Sequence, residues 1–330
     1  MKLPARLIRR GRLRATLEVA ICVALLVAAW RAVDGTRADR PLTEHAGESP
    51  AGFPRTVHDH AGDALRLTQP PSRIASQALV TDHFLFAVVP PSRIAAVSTI
   101  ADDPRYSYVA DQVGGMDVGV VDDGEALLRR RPDLLLVSHT ARADLVDLAR
   151  AADIPTFRLL TIFEDFSQIT DGLETVGRVT GEEAAAARAI ARFRERVAAA
   201  LARRPAAAQP PRVLVYVGFS GTFGTGSLYD HILTELGTVN VAAEHGIGAH
   251  GTISGEQIAA WDPDWIIADA PAGEEDGVRR RLLDQPGVAV TAAGRSGQVL
   301  VVDHRRFISM SHHVAGLLET VAAALYPDTP

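Results

Sequence analysis

Short apolar runs alternate with helical patterns from Ser72 to the end of the chain, and this alternation constrains the fold more than any other feature. The runs RIASQ, RIAAVS, DLLLVSH and PTFRLL are typical of buried strands, with helix-like segments between them. The second half repeats the scheme with RVLVYVGF, DWIIADA and QVLVVD. Strands that alternate with helices usually run parallel in one sheet. The sequence therefore predicts an α/β protein with two Rossmann-like lobes, each built on a parallel sheet.

One helix-forming segment separates the two halves. Residues 181–205, GEEAAAARAIARFRERVAAALARRP, are rich in Ala, Arg and Glu and end at a proline. These residue types favour helix, and a helix of this length would extend about 36 Å. We predict one long α-helix over 181–205 that joins an N-terminal lobe (70–180) to a C-terminal lobe (206–330).

The first 34 residues have the order of an export signal. Basic residues precede the apolar run VAICVALLVAAW, which covers residues 19–30. A spanning helix needs about 20 apolar residues, so a secretory signal is favoured, while an uncleaved anchor stays open. Cys22 is the only cysteine and follows Ile21, unlike a lipoprotein cysteine, which Gly, Ala or Ser precedes. We predict an exported, periplasmic or otherwise extracytoplasmic protein, with residues 35–69 forming a tether and the lead-in to the folded domain.

A glycine-rich turn, GFSGTFGTGS (218–227), follows the first strand of the second half. Its spacing approaches two nucleotide-binding patterns and matches neither. Ser227 stands where a phosphate loop requires lysine, and Tyr229 stands where a dinucleotide fingerprint requires its third glycine. The formal net charge of -6 also gives no reason to expect nucleic acid. The turn is therefore either a plain strand-to-helix connection or the wall of another kind of ligand site.

Two segments of the chain repeat one pattern. GEALLRRRPDLLLVSH (124–139) and GEQIAAWDPDWIIADA (255–270) align without a gap. Each predicts a short helix, a Pro-Asp turn and a buried strand, so each lobe is expected to contain the same unit. Helix, turn and strand units are common in α/β proteins, and coincidence is the alternative. Glu125 and Glu256 occupy the same place in the two copies.

Ordered segments along the chain resemble one protein family. They are SRIASQALVTDHFLFAVVPPSRIAAVS, GGMDVGVVDDGEALLRRRPDLLLV, the long helix, GSLYDHILTELGTVNVAAEHG and ISGEQIAAWDPDWIIA. Over about residues 70–325 the chain resembles the periplasmic substrate-binding proteins of ABC importers for iron–siderophore complexes, cobalamin and haem. The resemblance implies a ligand in the cleft between two lobes, and small hinge motion because a single helix joins them. It also implies that Glu125 and Glu256 dock into arginines of the permease, although a glutamate in a first helical turn also stabilises its own helix.

The ends of the predicted strands supply candidate ligand-binding residues. Ligands in open α/β lobes bind outside the carboxyl ends of the strands, so the loops that follow the strands should line the cleft. Phe219 and Phe223 offer flat apolar faces, with core packing as the alternative. Arg105, Arg305 and Arg306 suit an anionic chelate, with a solvated surface position as the alternative. The candidates are His83, Arg105, Tyr106, His139, Phe163, Phe219, Thr222, Phe223, His250, Arg305, Arg306 and His312.

Eleven histidines raise the question of a metal site. A bare transition-metal ion needs three or four converging ligands, and the sequence contains no His-x-x-x-His pattern or cysteine pair. We therefore predict no metal site and no cofactor, whereas one imidazole that completes the coordination of a chelated metal stays open. His45, His58 and His60 precede the predicted domain and are expected to be solvated.

We predict a solute-binding component of an ABC transporter. It would capture an iron-siderophore-type chelate between the lobes as a monomer and deliver it to a permease in the inner membrane. Cobalamin or haem is the alternative ligand within the same class. A chelatase-like metal or tetrapyrrole enzyme is a competing class, but the sequence contains no nucleophile elbow and no carboxylate pair placed with a base, so no enzyme is predicted. A membrane-tethered scaffold without a small ligand is the third alternative.

Overall fold

The computed structural model describes residues 52–119, 124–205, 209–218 and 220–327. The predicted signal, residues 35–51 of the predicted tether and Phe219 lie outside the described residues. Within the described part of the chain, no helix has both the length and the apolar character needed to cross a membrane.

The N-terminal lobe is built on a five-stranded parallel sheet in the order β5-β4-β3-β6-β7. This arrangement confirms the predicted α/β class for the first half. The elements are β3 (Ile74–Ser76), α1 (Leu79–Val88), β4 (Ile94–Val97), β5 (Asp117–Val118), α2 (Gly124–Arg130), β6 (Leu134–Ser138), α3 (Ala143–Ala151), β7 (Thr156–Leu159) and α4 (Phe166–Thr180).

A hairpin precedes this sheet. It consists of β1 (Arg55–His58) and β2 (Ala64–Leu67), which pair antiparallel. The turn of the hairpin is fixed to the lobe, because the His60 N–H donates to the Arg158 carbonyl at 2.9 Å and the Arg158 N–H donates to the Asp59 carboxylate at 3.2 Å. Residues 55–58 belong to the segment 35–69 that was predicted as a tether and the lead-in to the folded domain, and they form the first strand of this hairpin. The hairpin brings His60 alongside the end of β7.

The C-terminal lobe has a four-stranded parallel sheet in the order β10-β8-β12-β13. A two-stranded antiparallel pair, β9 with β11, lies beside it. The elements are β8 (Arg212–Val215), β9 (Gly221–Thr222), α6 (Leu228–Glu235), β10 (Val239–Asn240), α7 (Val241–Glu244), β11 (Gly251–Thr252), α8 (Gly255–Trp261), β12 (Trp265–Ala270), α9 (Glu275–Leu283), α10 (Pro286–Ala289), α11 (Ala292–Ser296), β13 (Val299–Asp303), α12 (His304–Phe307) and α13 (Ala315–Leu325).

The connecting helix α5 runs from Glu183 to Leu201, shorter at both ends than the predicted 181–205. Gly181 adopts a left-handed conformation with φ of 76° and ends α4, so α5 begins only after this glycine.

Helix α5 contacts both halves of the molecule. It lies so close to α4 that a Cβ on Gly177 would come within 2.6 Å of the Ala186 side chain. Phe193 of α5 is buried in a hydrophobic cluster that contains residues of both lobes. Toward the C-terminal lobe, Arg196 pairs with Glu319 of α13 at 2.7 Å. A helix packed against both lobes restricts how far they can move apart.

The two sequence repeats fold alike. Segment 124–139 forms α2 and β6, and segment 255–270 forms α8 and β12. The correspondence extends to the backbone after each helix, where Arg131 and Asp262 have φ of 45° and 44° at equivalent positions. Left-handed conformations are uncommon in residues other than glycine. Their recurrence at one position of a gap-free alignment shows that the two lobes contain the same unit.

The aspartate of each Pro-Asp turn holds the start of a neighbouring strand. The Asp133 carboxylate accepts the backbone N–H groups of Ser72 at 2.7 Å and Arg73 at 2.8 Å, just before β3. In the other lobe, Asp264 accepts the Arg212 N–H of β8 at 2.9 Å. These bonds align the strands whose carboxyl ends supply the site described below.

Candidate functional site

A cavity of about 330 Å³ lies between the lobes. The N-terminal lobe contributes the loop after β7, the start of the loop after β6 and the turn of the β1–β2 hairpin. The C-terminal lobe contributes the glycine-rich turn, residues 249–250, the end of β12 and the segment after β13. Most of these segments follow the carboxyl ends of parallel strands, where ligands of open α/β sheets bind.

Apolar and aromatic side chains form most of the cavity wall. In the C-terminal lobe, Tyr229 stacks between Phe223 and Phe307, with ring centroids 4.3 and 5.0 Å away. The Tyr229 hydroxyl donates to the Phe307 carbonyl at 2.9 Å, so this buried polar group is satisfied. Ile162 and Phe163 face the cavity from the N-terminal lobe. No arginine or lysine is found among the described residues of the lining.

Four imidazoles line the cavity, two from each lobe. His60 and His139 belong to the N-terminal lobe and lie edge to face with centroids 5.2 Å apart, while His250 and His304 belong to the C-terminal lobe. Burial lowers the pKa of His60 and of His250. Burial, with a smaller contribution from His60, lowers the pKa of His139 to about 4. His60, His139 and His250 are therefore neutral near pH 7, and a neutral imidazole is a metal ligand.

The hydrogen bonds of these imidazoles differ. The Thr161 backbone N–H donates to Nδ1 of His139 at 3.3 Å. In His304, Nδ1 lies 2.5 Å from an oxygen of Asp269, and Nε2 is buried and has no hydrogen-bond partner among the described residues. Nε2 of His250 is also buried and without a partner. Among the described residues, no group of three or more His, Cys, Asp or Glu side chains is arranged to hold a metal ion.

Four of the predicted ligand-binding residues line the cavity: His139, Phe163, Phe223 and His250. A fifth, Phe219, lies outside the described residues. The four residues come from both lobes and were selected because they follow strand ends. Their contact with a ligand stays a prediction.

The three predicted arginines do not line the cavity. Arg105 is exposed and pairs at 2.6 Å with the aspartate two residues before it. The guanidinium of Arg305 lies over the Tyr108 ring, 4.8 Å from its centroid. Arg306 donates to the Thr320 hydroxyl at 3.1 Å and lies 3.6 Å from the Asp303 carboxylate. The structure therefore removes the cationic lining that the sequence had suggested.

Thr222 and Tyr106 also differ from expectation. Thr222 is fully buried, and its hydroxyl donates to the Val215 carbonyl at 2.7 Å, so it stabilises the turn and does not face the cavity. Tyr106 lies at the border of the cavity, where its ring contacts His304 edge to face at 5.3 Å. Because Tyr106 and His304 belong to different lobes, this contact joins the two lobes beside the cavity.

Sequence reasoning missed His60 and His304. His60 was expected to be solvated, and no local pattern indicates that a hairpin folds back onto β7. His304 follows β13 directly, beside Asp269 at the end of the neighbouring strand β12. The strand-end rule could have selected it, but the two adjacent arginines were chosen instead for their charge.

The remaining predicted residues, His83 and His312, belong to a second cluster between the lobes. Nδ1 of His83 lies 3.0 Å from the Ser311 hydroxyl, and its Nε2 accepts the Tyr108 N–H at 3.2 Å. The Tyr108 ring stacks on His313 with centroids 4.2 Å apart. His312 lies beside His313 at 4.1 Å. These side chains hold the lobes together outside the cavity lining.

This second cluster should make the protein sensitive to acid. Burial lowers the pKa of His83 to about 3 and that of His312 to about 4. As the pH falls below 6.5, these histidines take up protons in the unfolded chain but not in the folded protein. We expect the two together to lower the free energy of unfolding by about 3 kcal/mol between pH 6.5 and pH 5, because the slope for each rises from about 0.7 kcal/mol per pH unit at pH 6.5 toward about 1.4 at pH 5. Urea unfolding across this range measures the change.

Asp82 opposes this trend and provides the control. Burial raises the pKa of its carboxyl to about 7, although hydrogen bonds from Ser76 and Ser98 act in the other direction. Between pH 7 and its unfolded pKa of 3.8, the folded protein keeps a proton that the unfolded chain loses, so acid stabilises the fold through this group. Asp82→Asn should therefore steepen the loss of stability in acid. An Asp82→Asn variant whose stability does not change with pH would contradict the histidine assignment, and one whose stability falls no more steeply than that of the wild type would contradict the Asp82 assignment.

The two repeated glutamates are exposed. The Glu125 side chain is 88% exposed in the first turn of α2, and Arg129 lies 3.5 Å from it. Glu256 is exposed in the first turn of α8. The Ser254 hydroxyl accepts the Gln257 N–H at the start of α8, and a hydrogen bond from Ser254 lowers the pKa of Glu256. Neither glutamate lines the cavity.

Known proteins are similar to this chain in sequence or in fold. A cobalamin-binding protein of Halobacterium salinarum (strain ATCC 29341 / DSM 671 / R1) is 26% identical over 97% of this chain and 86% of its own length. The periplasmic heme-binding protein RhuT from Roseiflexus sp. RS-1 in apo form superposes with a TM-score of 0.65 at 22% identity, over 78% of this chain and 99% of that one. A periplasmic binding protein from Veillonella parvula superposes with a TM-score of 0.69 at 15% identity, over 84% and 98%.

The sequence pattern described as periplasmic binding protein matches residues 78–305. The match runs from the start of α1 to the segment after β13, so it includes both lobes and the helix between them. The solved structures share the two-lobed fold. The chain belongs to the periplasmic binding protein family.

Proposed function

We propose that the protein binds a metal tetrapyrrole, either a haem or a cobalamin, in the cavity between its lobes and delivers it to an ABC permease. This ligand replaces the iron–siderophore chelate that the sequence favoured. The composition of the cavity wall carries the proposal. Export, a tether and a monomeric state stay predictions from the sequence.

A tetrapyrrole has two broad apolar faces and a central metal. The aromatic run of Phe223, Tyr229 and Phe307 offers flat apolar surface to such a face, with Phe163 on the opposite lobe. The imidazoles in the same wall supply neutral nitrogen donors, which iron and cobalt accept. Ligand pockets commonly combine a mostly apolar wall with a few placed polar groups.

An anionic siderophore requires different chemistry. Catecholate and hydroxamate oxygens are best held by guanidinium groups, which donate paired, charge-assisted hydrogen bonds. The predicted arginines are engaged outside the cavity, and its described lining contains acidic groups, Glu164 and Asp269, but no basic side chain other than histidine. These acidic groups disfavour a ferric catecholate, whose negative charge lies on the oxygens that surround the iron. The cobalamin-binding and heme-binding descriptions of the similar proteins agree with a tetrapyrrole.

Absorption titration of the purified protein tests the ligand. We expect saturable one-to-one binding of ferric haem or aquocobalamin, with a band shift as an imidazole enters the coordination sphere of the metal. A ferric catecholate chelate should produce neither tryptophan quenching nor a spectral change. Saturable binding of the ferric catecholate, with no binding of either tetrapyrrole, would overturn the proposal in favour of the siderophore alternative.

The haem and cobalamin titrations distinguish the two members of the class. The ligand should also leave the protein chemically unchanged, because the proposed work is capture and release. Mass spectrometry of the released tetrapyrrole checks this point. Loss of its metal or opening of its ring would indicate a chelatase-like enzyme instead.

A further inference from the structure

We infer that His304, oriented by Asp269, is the side chain that ligates the metal of the bound tetrapyrrole. The inference rests on the proposed function and assigns one donor among the four imidazoles of the cavity. It starts from the positions of the two residues in the sheet. Asp269 lies near the carboxyl end of β12, and His304 follows the adjacent parallel strand β13, where Asp269 pairs with Val302. The ends of the two strands therefore deliver both side chains to the same part of the cavity.

The contact between them fixes the tautomer of the imidazole. Nδ1 of His304 lies 2.5 Å from the Asp269 carboxylate, and the two side chains are only 9% and 12% exposed. A carboxylate accepts hydrogen bonds, so Nδ1 carries the proton and Nε2 keeps its lone pair. The same arrangement of carboxylate and histidine supports metal ligands in many proteins, because it fixes the ring and makes its free nitrogen a stronger donor.

The free nitrogen has no hydrogen-bond partner in the described part of the chain. Nε2 of His304 is buried, and no described residue forms a hydrogen bond with it. Buried polar atoms are nearly always satisfied in folded proteins, so an exception requires an explanation. A metal that accepts this lone pair would provide one.

Access to Nε2 depends on the other lobe. Tyr106 contacts the His304 ring edge to face across the cleft. A small parting of the lobes would separate these rings and uncover the imidazole, without a change within the C-terminal lobe. Ligation would thus be coupled to opening of the cleft.

The other imidazoles are less suited to this role. His139 accepts the Thr161 N–H at Nδ1, so its proton is at Nε2. Ligation through Nε2 would require the proton to move to Nδ1, and the hydrogen bond from Thr161 would then be lost. His60 is more exposed and lies against His139. His250 has an unpartnered Nε2, but no carboxylate orients its ring among the described contacts. Only His304 combines a fixed tautomer with a free donor atom.

The test uses the full protein with ferric haem and, separately, with aquocobalamin. His304→Ala should weaken binding of the metal complex about tenfold or more, because loss of the ligand itself should cost at least as much as loss of an outer partner. It should also remove the imidazole-type absorption of both complexes and, for ferric haem, the imidazole-type electron paramagnetic resonance signal, and millimolar imidazole should restore these signals. Asp269→Asn should retain binding. The change in the reduction potential of the metal that imidazole ligation produces should become smaller, because the ring loses the carboxylate that makes it a stronger donor. His245→Ala, which removes a ring stacked on Trp261 away from the cavity, should change none of these signals.

Several outcomes would overturn the inference. An unchanged spectrum in His304→Ala, a failure of imidazole to restore the signals, or loss of the signals in His250→Ala alone would each reject His304 as the ligand. His304→Leu, which keeps a side chain of similar size without a donor atom, repeats the test if the alanine variant does not fold, and an unchanged spectrum in it has the same meaning. Wild-type protein that binds neither tetrapyrrole would reject the proposed function itself, whereas a bound tetrapyrrole that does not respond to these variants would reject only the role of His304.

Discussion

Charge reversal of both repeated glutamates, Glu125→Arg with Glu256→Arg, is expected to abolish uptake of the tetrapyrrole while its binding to the isolated protein stays unchanged. The two carboxylates are exposed at equivalent places on the two lobes, in the first turns of α2 and α8. Complementary charge at two fixed points would set the register of the protein on its permease. Like charges brought together at both points would cost several kcal/mol, enough to lower uptake at least a hundredfold.

The fold and the cavity should tolerate this change. A glutamate in a first helical turn stabilises its helix by about 0.3–1 kcal/mol, and neither residue lines the cavity. Uptake in cells that contain the permease and absorption titration of the purified variant separate the two properties. Glu174→Arg with Glu235→Arg is the matched control, because it changes the net charge equally at one exposed residue of each lobe. Uptake that survives in the first double variant, or tetrapyrrole binding that is lost in it, would reject the docking role.

The sequence predicted the fold because the fold is set by local and repeated patterns. Apolar strands that alternate with helices usually form a parallel sheet. The repeat of 124–139 in 255–270 extends to the left-handed residues Arg131 and Asp262. The length of α5 was less predictable. The helix was predicted to begin at Gly181, but this glycine adopts a left-handed conformation that ends α4.

The site was less predictable because it depends on the direction of individual side chains. The strand-end rule selected the correct loops, and His139, Phe163, Phe223 and His250 line the cavity. It could not decide which residue of 304–306 faces the ligand. Charge favoured the arginines, but Arg305 lies over an aromatic ring and Arg306 lies beside a carboxylate, both outside the cavity lining. The imidazole of His304, which precedes them, contacts Asp269. The position of His60 depends on a tertiary contact of a hairpin that has no signature in the sequence.

The glycine-rich turn of the second lobe forms part of the cavity wall. Gly224 donates its N–H to the Gly248 carbonyl at 2.9 Å, and Thr225 donates to the Ile247 carbonyl at 3.0 Å. These bonds join the turn to the segment that carries His250. Glycine is required at 224 because the two backbones approach closely. The turn therefore places Phe223 and His250 side by side, with their ring centroids 5.6 Å apart.

Gly224→Ala is expected to damage both the stability and the ligand site. A Cβ at this position would lie 2.1 Å from the Ile247 carbonyl oxygen and 2.9 Å from that of Gly248. Both atoms belong to the backbone, so relief requires the two segments to separate and to lose the hydrogen bonds between them. Overpacking and the lost bonds together should lower the free energy of unfolding by about 2–4 kcal/mol. Displacement of Phe223 and His250 should weaken tetrapyrrole binding about ten- to a hundredfold.

Gly248→Ala is the matched control, because it adds the same methyl group to the facing segment. A Cβ on Gly248 meets no atom within 4 Å, and its carbonyl remains able to accept the Gly224 N–H. Urea unfolding and absorption titration should therefore give values close to those of the wild type. Equal losses in the two variants would mean that glycine is needed for chain flexibility throughout this region. Losses confined to Gly224→Ala would show that close approach of the two backbones shapes this side of the cavity, since only there does a methyl group force them apart.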